Sequence, residues 1–428
     1  MSATVPAVPG PDGNAPGPDC SPPRGDGSPP RGDAPAPATS GATRPEVRHL
    51  GAVDLVRFVT ITGVVAVHCT SLTAARSSLA AGGVLEVLHV TRSVFLFLSA
   101  FVLTYSYQHR PRTAGKFWRH RYPLIICPYV TWSAIYVLTD GELHRGAGYV
   151  VGHYLLDLLD GGAHFQLYYL LLPLQLYLVY PALVSWLRRH PGSHRRLVIG
   201  SFAFQLSFTA AIHYGWRPPV IGIWLTHSGS WLPSYELYIA GGLIAALHFD
   251  EITSWVRSHG RLLLGAMLAS IALAEVSYVC DLRYLGYSPI RASQVFQPTV
   301  VLEAVTITLA QYALGLWVTD RVGIRGRQFL ERAADASFGV FLAHPLLVGA
   351  ILDLASVSGL AALVGHLPGG AIEALAVFGL VPFVYAVTFR FVARARRSRA
   401  SLWLTGRAHP FPPTGQALLS ATPTPPVV

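Results

Sequence analysis

Charge is what this sequence has least of. Only 13% of its 428 residues are Asp, Glu, Lys or Arg, against 52% hydrophobic, and an ordinary soluble chain carries about twice that share of charge. Such a chain cannot cover itself with water-binding surface, which excludes a soluble globular fold. Lysine is almost absent, Lys116 being the single example, so the net charge of +10 belongs to arginine. Those arginines sit between apolar blocks and form no basic face, which excludes nucleic acid as a partner. Cysteine is sparse too: Cys20, Cys69, Cys127 and Cys280 lie in a tail and three separate apolar blocks, without paired or metal-ligand spacing. Neither His-Glu-x-x-His nor Cys-x-x-Cys occurs, so no metal is expected. Nor do the two halves repeat each other as the halves of many transporters do.

What the chain has in abundance is apolar length. Residues 1–46 are rich in Pro, Gly, Ala and Asp, with SPPRGDG (Ser21–Gly27) echoed by SPPRGDA (Ser28–Ala34), and they hold no apolar core for a signal peptide. They read as a disordered tail whose Arg-Gly-Asp triplets are compositional repeats. From 47 to 394 the blocks reach the roughly 20 residues that cross a bilayer as a helix. Strand-like alternation is missing, and backbone groups in lipid must be satisfied within the segment. The fold class is therefore all-α and polytopic, with about ten transmembrane helices at 52–72, 84–107, 123–139, 163–187, 196–214, 231–248, 261–280, 298–319, 335–354 and 370–392. A cytoplasmic tail is expected over 395–428. The segment 148–160 is apolar but short and carries two aspartates, so it reads as interfacial or re-entrant.

Positive residues collect in short cytoplasmic loops. With the N-terminus inside, the inner segments hold 25 of the Lys and Arg residues, and the outer loops only Arg76, Arg145, Arg217, Arg283 and Arg291. An even span count with both termini cytoplasmic follows. The two remaining arginines, Arg57 and Arg92, lie inside spans.

An ionisable side chain inside a span costs roughly 2.5–3.5 kcal/mol on insertion scales, so it usually faces a partner or a watery cavity. Arg57 and His68 stand eleven residues apart in the first span, about 20° from the same direction and roughly 16 Å apart along the helix. They point into one channel from two depths. Asp54, one turn before Arg57, is placed to neutralise it. His68 reads either as a hydrogen-bonded histidine of the bundle or as a proton-transfer group; the adjacent Cys69 reads as a small packing residue. Glu86, His89 and Arg92 form a stripe in the second span, facing His68 or fixing helix packing. His164, Gln175, Glu236, Glu275, Glu303 and His344 are further intramembrane candidates. The basic stretch RPRTAGKFWRHRYPLIICPY (Arg110–Tyr129) is either an anchor on anionic headgroups or a dock for a phosphorylated donor.

At these residues the chain resembles the acyltransferase family three membrane proteins, over most of 48–393. Arg57 with ten intervening residues before His68 resembles the family's Arg/Lys–ten–His signature. FLFLSAFVL (Phe95–Leu103) resembles its Ser-Gly-Phe segment, and FWRHRYPLIICPY (Phe117–Tyr129) its basic lead into span three. AHFQLYYLLLPLQLYLVYP (Ala163–Pro181) resembles its His/aromatic helix, and SFGVFLAHPLL (Ser337–Leu347) its Ser-Phe-Gly…His-Pro span. Two departures stand out. Ala100 replaces the usual glycine, and the family's Arg-x-x-Arg pair is broken, because Leu124 follows Arg121 at the second position. Arg119 with Arg121, or Lys116 with Arg119, remain as substitutes.

The resemblance implies an enzyme of the cell membrane that moves an acyl group from acyl-coenzyme A to a hydroxyl of a sugar-containing acceptor. Acyl-coenzyme A is then a co-substrate, and no cofactor is bound permanently. The lipid bilayer and a hydroxylated sugar or glycan are the other partners. Catalysis would fall to His68 and Arg57, with His68 acting as base or carrying the acyl group transiently. Substrate binding would fall to Arg92, His89, Glu86, Ser99, Arg119, Arg121, His164 and His344. No soluble esterase-like domain is expected after the last span. The rival class is a transporter or glycan exporter, in which the same buried charges line a path.

Overall fold

The computed structural model describes residues 50–108, 112–215, 228–359 and 370–408, with isolated positions between them. The 1–46 tail with its repeats, Arg110, Arg217 and most of the 395–428 segment lie outside the described residues. Among the described residues all regular structure is helical. The longer elements are α1 (Gly51–Thr73), α2 (Leu79–Leu88), α3 (Thr91–Gln108), α4 (Ala114–Arg121), α5 (Pro123–Thr139), α6 (Ala147–Asp160), α7 (Leu171–Arg189) and α8 (His194–His213). After them come α9 (Glu236–Leu247), α10 (Phe249–Ser258), α11 (Gly260–Tyr284), α12 (Pro298–Arg321), α13 (Ile324–Val357), α14 (Ala371–Ala395, with a π turn at Ala376–Leu380) and the short α15 (Ser401–Thr405).

Among the described residues, eight helical stretches are long and apolar enough to cross a membrane. Each of the ten predicted spans contains helix, but two fall short of that measure. Ser201, Gln205, Ser207 and Thr209 dilute α8, and α9 has only 12 residues. The second span is interrupted: α2 ends at Leu88 and α3 begins at Thr91. Two glycines limit the helix through 148–160. At Gly161 the backbone turns left-handed (φ 80°), and Gly162 donates its N–H to the Asp160 carboxylate at 2.8 Å. Its outer side carries exposed Val151, Leu155, Leu156 and Leu159.

The opening helix is the hub. α1 packs against α2, α3, α12, α13 and α14, and twelve of its residues are buried. That enclosure gives Arg57 and His68 a protein environment despite the apolar run around them. α3 packs closely against α9, and small residues allow it, since lipid supplies no hydrophobic drive between helices. A methyl group at Gly242 would stand 2.4 Å from the Phe97 carbonyl oxygen and 3.0 Å from Cβ of Ala100. Ala100 is accommodated in place of glycine because a glycine faces it. Gly242→Ala should therefore push α9 off α3 and cost about 1–3 kcal/mol through overpacking. A lowered unfolding temperature in detergent would show it, and an unchanged one would contradict the fit.

Candidate active site

His68 does not stand alone. Its Nδ1 lies 2.6 Å from Nε2 of His344 on α13. The ring centroids are 4.9 Å apart and the planes differ by 2°, so the two imidazoles meet edge to edge in nearly one plane. His344 is fully buried, and its Nδ1 is 2.9 Å from the Val340 carbonyl oxygen. The following Pro345 adds a second backbone acceptor. Proline has no N–H to give the carbonyl one turn earlier, that of Phe341, and His344 also hydrogen-bonds there.

These contacts assign the protons. A carbonyl only accepts, so Nδ1 of His344 carries hydrogen and its Nε2 presents a lone pair. His68 must then donate from Nδ1. In the neutral ring the remaining lone pair is on Nε2, the nitrogen left for a substrate. The chain Val340 carbonyl, His344, His68 thus fixes one tautomer of His68.

His68 borders a cavity of about 260 Å³ together with Ser71, His89, Arg92, Phe95, Gln166, Tyr168 and Phe341. Phe165 meets the His68 ring edge-on at 4.8 Å. Arg92 is set among phenols: its guanidinium lies 5.6 Å from the Tyr168 ring, Tyr235 hydrogen-bonds its side chain, and Tyr169 donates to its carbonyl at 2.9 Å. Neutral partners leave the cation's charge available to an incoming anion. His89 and Arg92 also border a second cavity of about 330 Å³ that includes Arg76, Ser78 and Gln294.

The predicted residues divide. His68, His89 and Arg92 share the cavity. His344 backs His68 without reaching the cavity wall, and His164 stacks on Tyr136 (4.2 Å, 16°) beside Phe165 and pairs with Gln166. Glu86 is turned away by the α2–α3 break; it is fully buried and accepts from Gln297 at 2.7 Å. Ser99 bonds back to the Phe95 carbonyl at 2.8 Å. Arg57 does not line this cavity; its charged neighbours are Arg407, Asp54, Asp335 and Arg121. Arg119 is exposed, whereas Arg121 is half-buried and donates Nε–H to the Tyr107 hydroxyl at 3.0 Å.

Sequence reasoning missed Phe165, Gln166, Tyr168 and Tyr235. The first three belong to a stretch read as helix, but residues 161–166 turn and Leu167–Leu170 is 3₁₀. The Gly161–Gly162 pair was the available signal. A methyl at Gly161 would fall 2.2 Å from Cα of Tyr168, so glycine there lets the aromatic segment fold against the cavity.

A bundle of apolar helices with titratable side chains gathered between them defines a polytopic membrane protein built to do chemistry within its helices. The acyltransferase domain model, that of acyltransferase family 3, matches residues 50–393. The chain belongs to that family and is a membrane acyltransferase. Comparison with curated proteins and with solved structures gives no match.

Proposed function

We propose that the protein is a multi-pass O-acyltransferase of the cell membrane, moving an acyl group from cytoplasmic acyl-coenzyme A to a hydroxyl of a sugar-containing acceptor. The observation that carries this reading is the free Nε2 of His68, held toward the cavity by His344. In the reaction the acceptor hydroxyl gives its proton to His68 Nε2 while its oxygen attacks the thioester carbonyl carbon. Negative charge develops on the carbonyl oxygen, and the Arg92 guanidinium is the nearby cation to steady it. Collapse of the intermediate breaks the carbon–sulfur bond, and the leaving thiolate takes the proton from His68. An ester and a free thiol result, and the imidazole returns to its starting state.

Two features support the assignment of the two sides. Aromatic walls at Phe95, Phe165, Tyr168 and Phe341 with polar His89 and Gln166 suit a sugar, which offers a C–H face and several hydroxyls. Arg57 and Arg121 lie toward the arginine-rich end, which the positive-inside rule assigns to the cytoplasm with both chain termini, and which suits a phosphate-bearing donor.

Membranes containing the protein, incubated with acyl-labelled acyl-coenzyme A and hydroxylated glycans, should yield base-labile label in the glycan. Passage of the glycan across the membrane without acylation would overturn the reading in favour of an exporter.

A further inference from the structure

The family segment stops at residue 393, but the folded chain does not. After α14 it turns, forms α15 and continues through Gly406 and Arg407. This strap is packed into the bundle. Ser401 and Thr405 are buried, and Trp132 on α5 donates its indole N–H to the Leu404 carbonyl at 3.1 Å. Gly406 adopts φ 67°. A methyl there would meet both the Leu124 carbonyl oxygen and the Phe338 ring at 2.5 Å. The strap therefore threads between the starts of α5 and the family's late Ser-Phe-Gly segment, and Ser401 fixes its return by donating to the Arg407 carbonyl at 2.8 Å.

That path delivers two arginines to one carboxylate. Arg396 Nη2 lies 2.9 Å from Asp335 Oδ2, and Arg407 Nη2 lies 3.2 Å from Asp335 Oδ1. Arg57 joins them from α1 and Arg121 from α4, since Arg57 feels Arg407, Asp335 and Arg121 as neighbouring charges. Four guanidinium groups thus share one end of the bundle with Asp335 and Asp54. One Arg396 nitrogen, Nη1, is buried with no hydrogen-bond partner, while Arg407 keeps about half its side chain exposed. Forked, permanently charged donors in excess over carboxylates match the oxygens of phosphate groups.

We propose that the strap completes a phosphate clamp: Arg396 and Arg407, together with Arg57 and Arg121, hold the phosphate groups of the thioester donor. This rests on the acyl-coenzyme A reading of the donor. The clamp lies where α1, α4, α13 and the strap converge, so a soluble donor enters from the arginine-rich end with its acyl arm directed along α1 toward His68. The strap residues bind and orient the donor; they touch no reacting atom.

The test uses full-length protein in nanodiscs of phosphatidylcholine, with coenzyme A, pantetheine and inorganic pyrophosphate as probes. Wild type should prefer coenzyme A over pantetheine, and Arg407→Gln or Arg396→Gln should reduce that preference about tenfold, the loss of a charge-assisted hydrogen bond. Because the readout is a ratio of two ligands on one preparation, a merely loosened fold would not move it. Arg407→Lys, which keeps charge but loses the fork, should fall between. Coenzyme A binding that ignores both substitutions would overturn the clamp and leave the donor reading standing. Pyrophosphate binding that needs Arg407, with no binding of coenzyme A by wild type, would keep an anion site and overturn the donor reading. Loss of the pyrophosphate signal on adding phosphatidylglycerol, through Arg407 alone, would assign the cluster to lipid headgroups and overturn the clamp.

Discussion

Replacing His68 with glutamine is expected to lower the acyl-transfer rate by about 10²–10⁴-fold, the usual contribution of a positioned general base. Glutamine fills a similar volume and its amide N–H can still donate to Nε2 of His344, so the α1–α13 contact at 2.6 Å need not be lost. What glutamine lacks is a basic nitrogen facing the cavity. The loss should accordingly appear in kcat, with donor affinity nearly unchanged, since the proposed phosphate contacts lie at the other end of α1. Initial rates of ester formation at saturating acyl-coenzyme A would measure it, with detergent unfolding as the control for folding. A variant retaining more than a tenth of wild-type turnover would remove His68 from the role of base.

Much of this arrangement was legible in the sequence, for physical reasons. Apolar runs of bilayer length leave the backbone no option but helix, so the spans were readable from composition. The eleven-residue spacing of Arg57 and His68 sets a direction within one helix, and periodicity alone delivers that. Partners across helices were not readable in the same way. His344 lies 276 residues from His68, and nothing in its own stretch says that its ring faces another histidine instead of substrate. The same limit applies to Glu86, which helical periodicity puts on one stripe with His89 and Arg92. The break between α2 and α3 rotates Glu86 toward Gln297 instead. Arg407 was the least legible, because it sits in a stretch that composition marks as tail; the left-handed Gly406, the buried Ser401 and Thr405 and the pairing with Asp335 show that it is built in.

His344→Leu is expected to reduce kcat by about 10²-fold even though His344 meets no substrate, because a base must have its lone pair on the nitrogen that faces the reacting proton. Leucine suits a fully buried position beside Val340 and Phe341, but it cannot accept from Nδ1–H of His68. Without that acceptor the neutral ring is free to carry its hydrogen on either nitrogen and to rotate. The imidazolium formed during transfer also loses the partner that receives its Nδ1–H. An orphaned buried donor further costs about 1–3 kcal/mol, so some loss of stability is expected alongside. His344→Gln separates the two effects: its side-chain oxygen can accept from His68, and it should recover much of the lost kcat where leucine does not. Should leucine and glutamine reduce kcat equally, His344 is filling space and the proton assignment fails. Recovery by glutamine alone, at unchanged KM for both substrates, would mean that the backbone of α13 sets the protonation of a catalytic ring on α1. The His-Pro dipeptide then has a chemical reason, since proline leaves the Phe341 carbonyl free to join that of Val340 in accepting from the His344 ring.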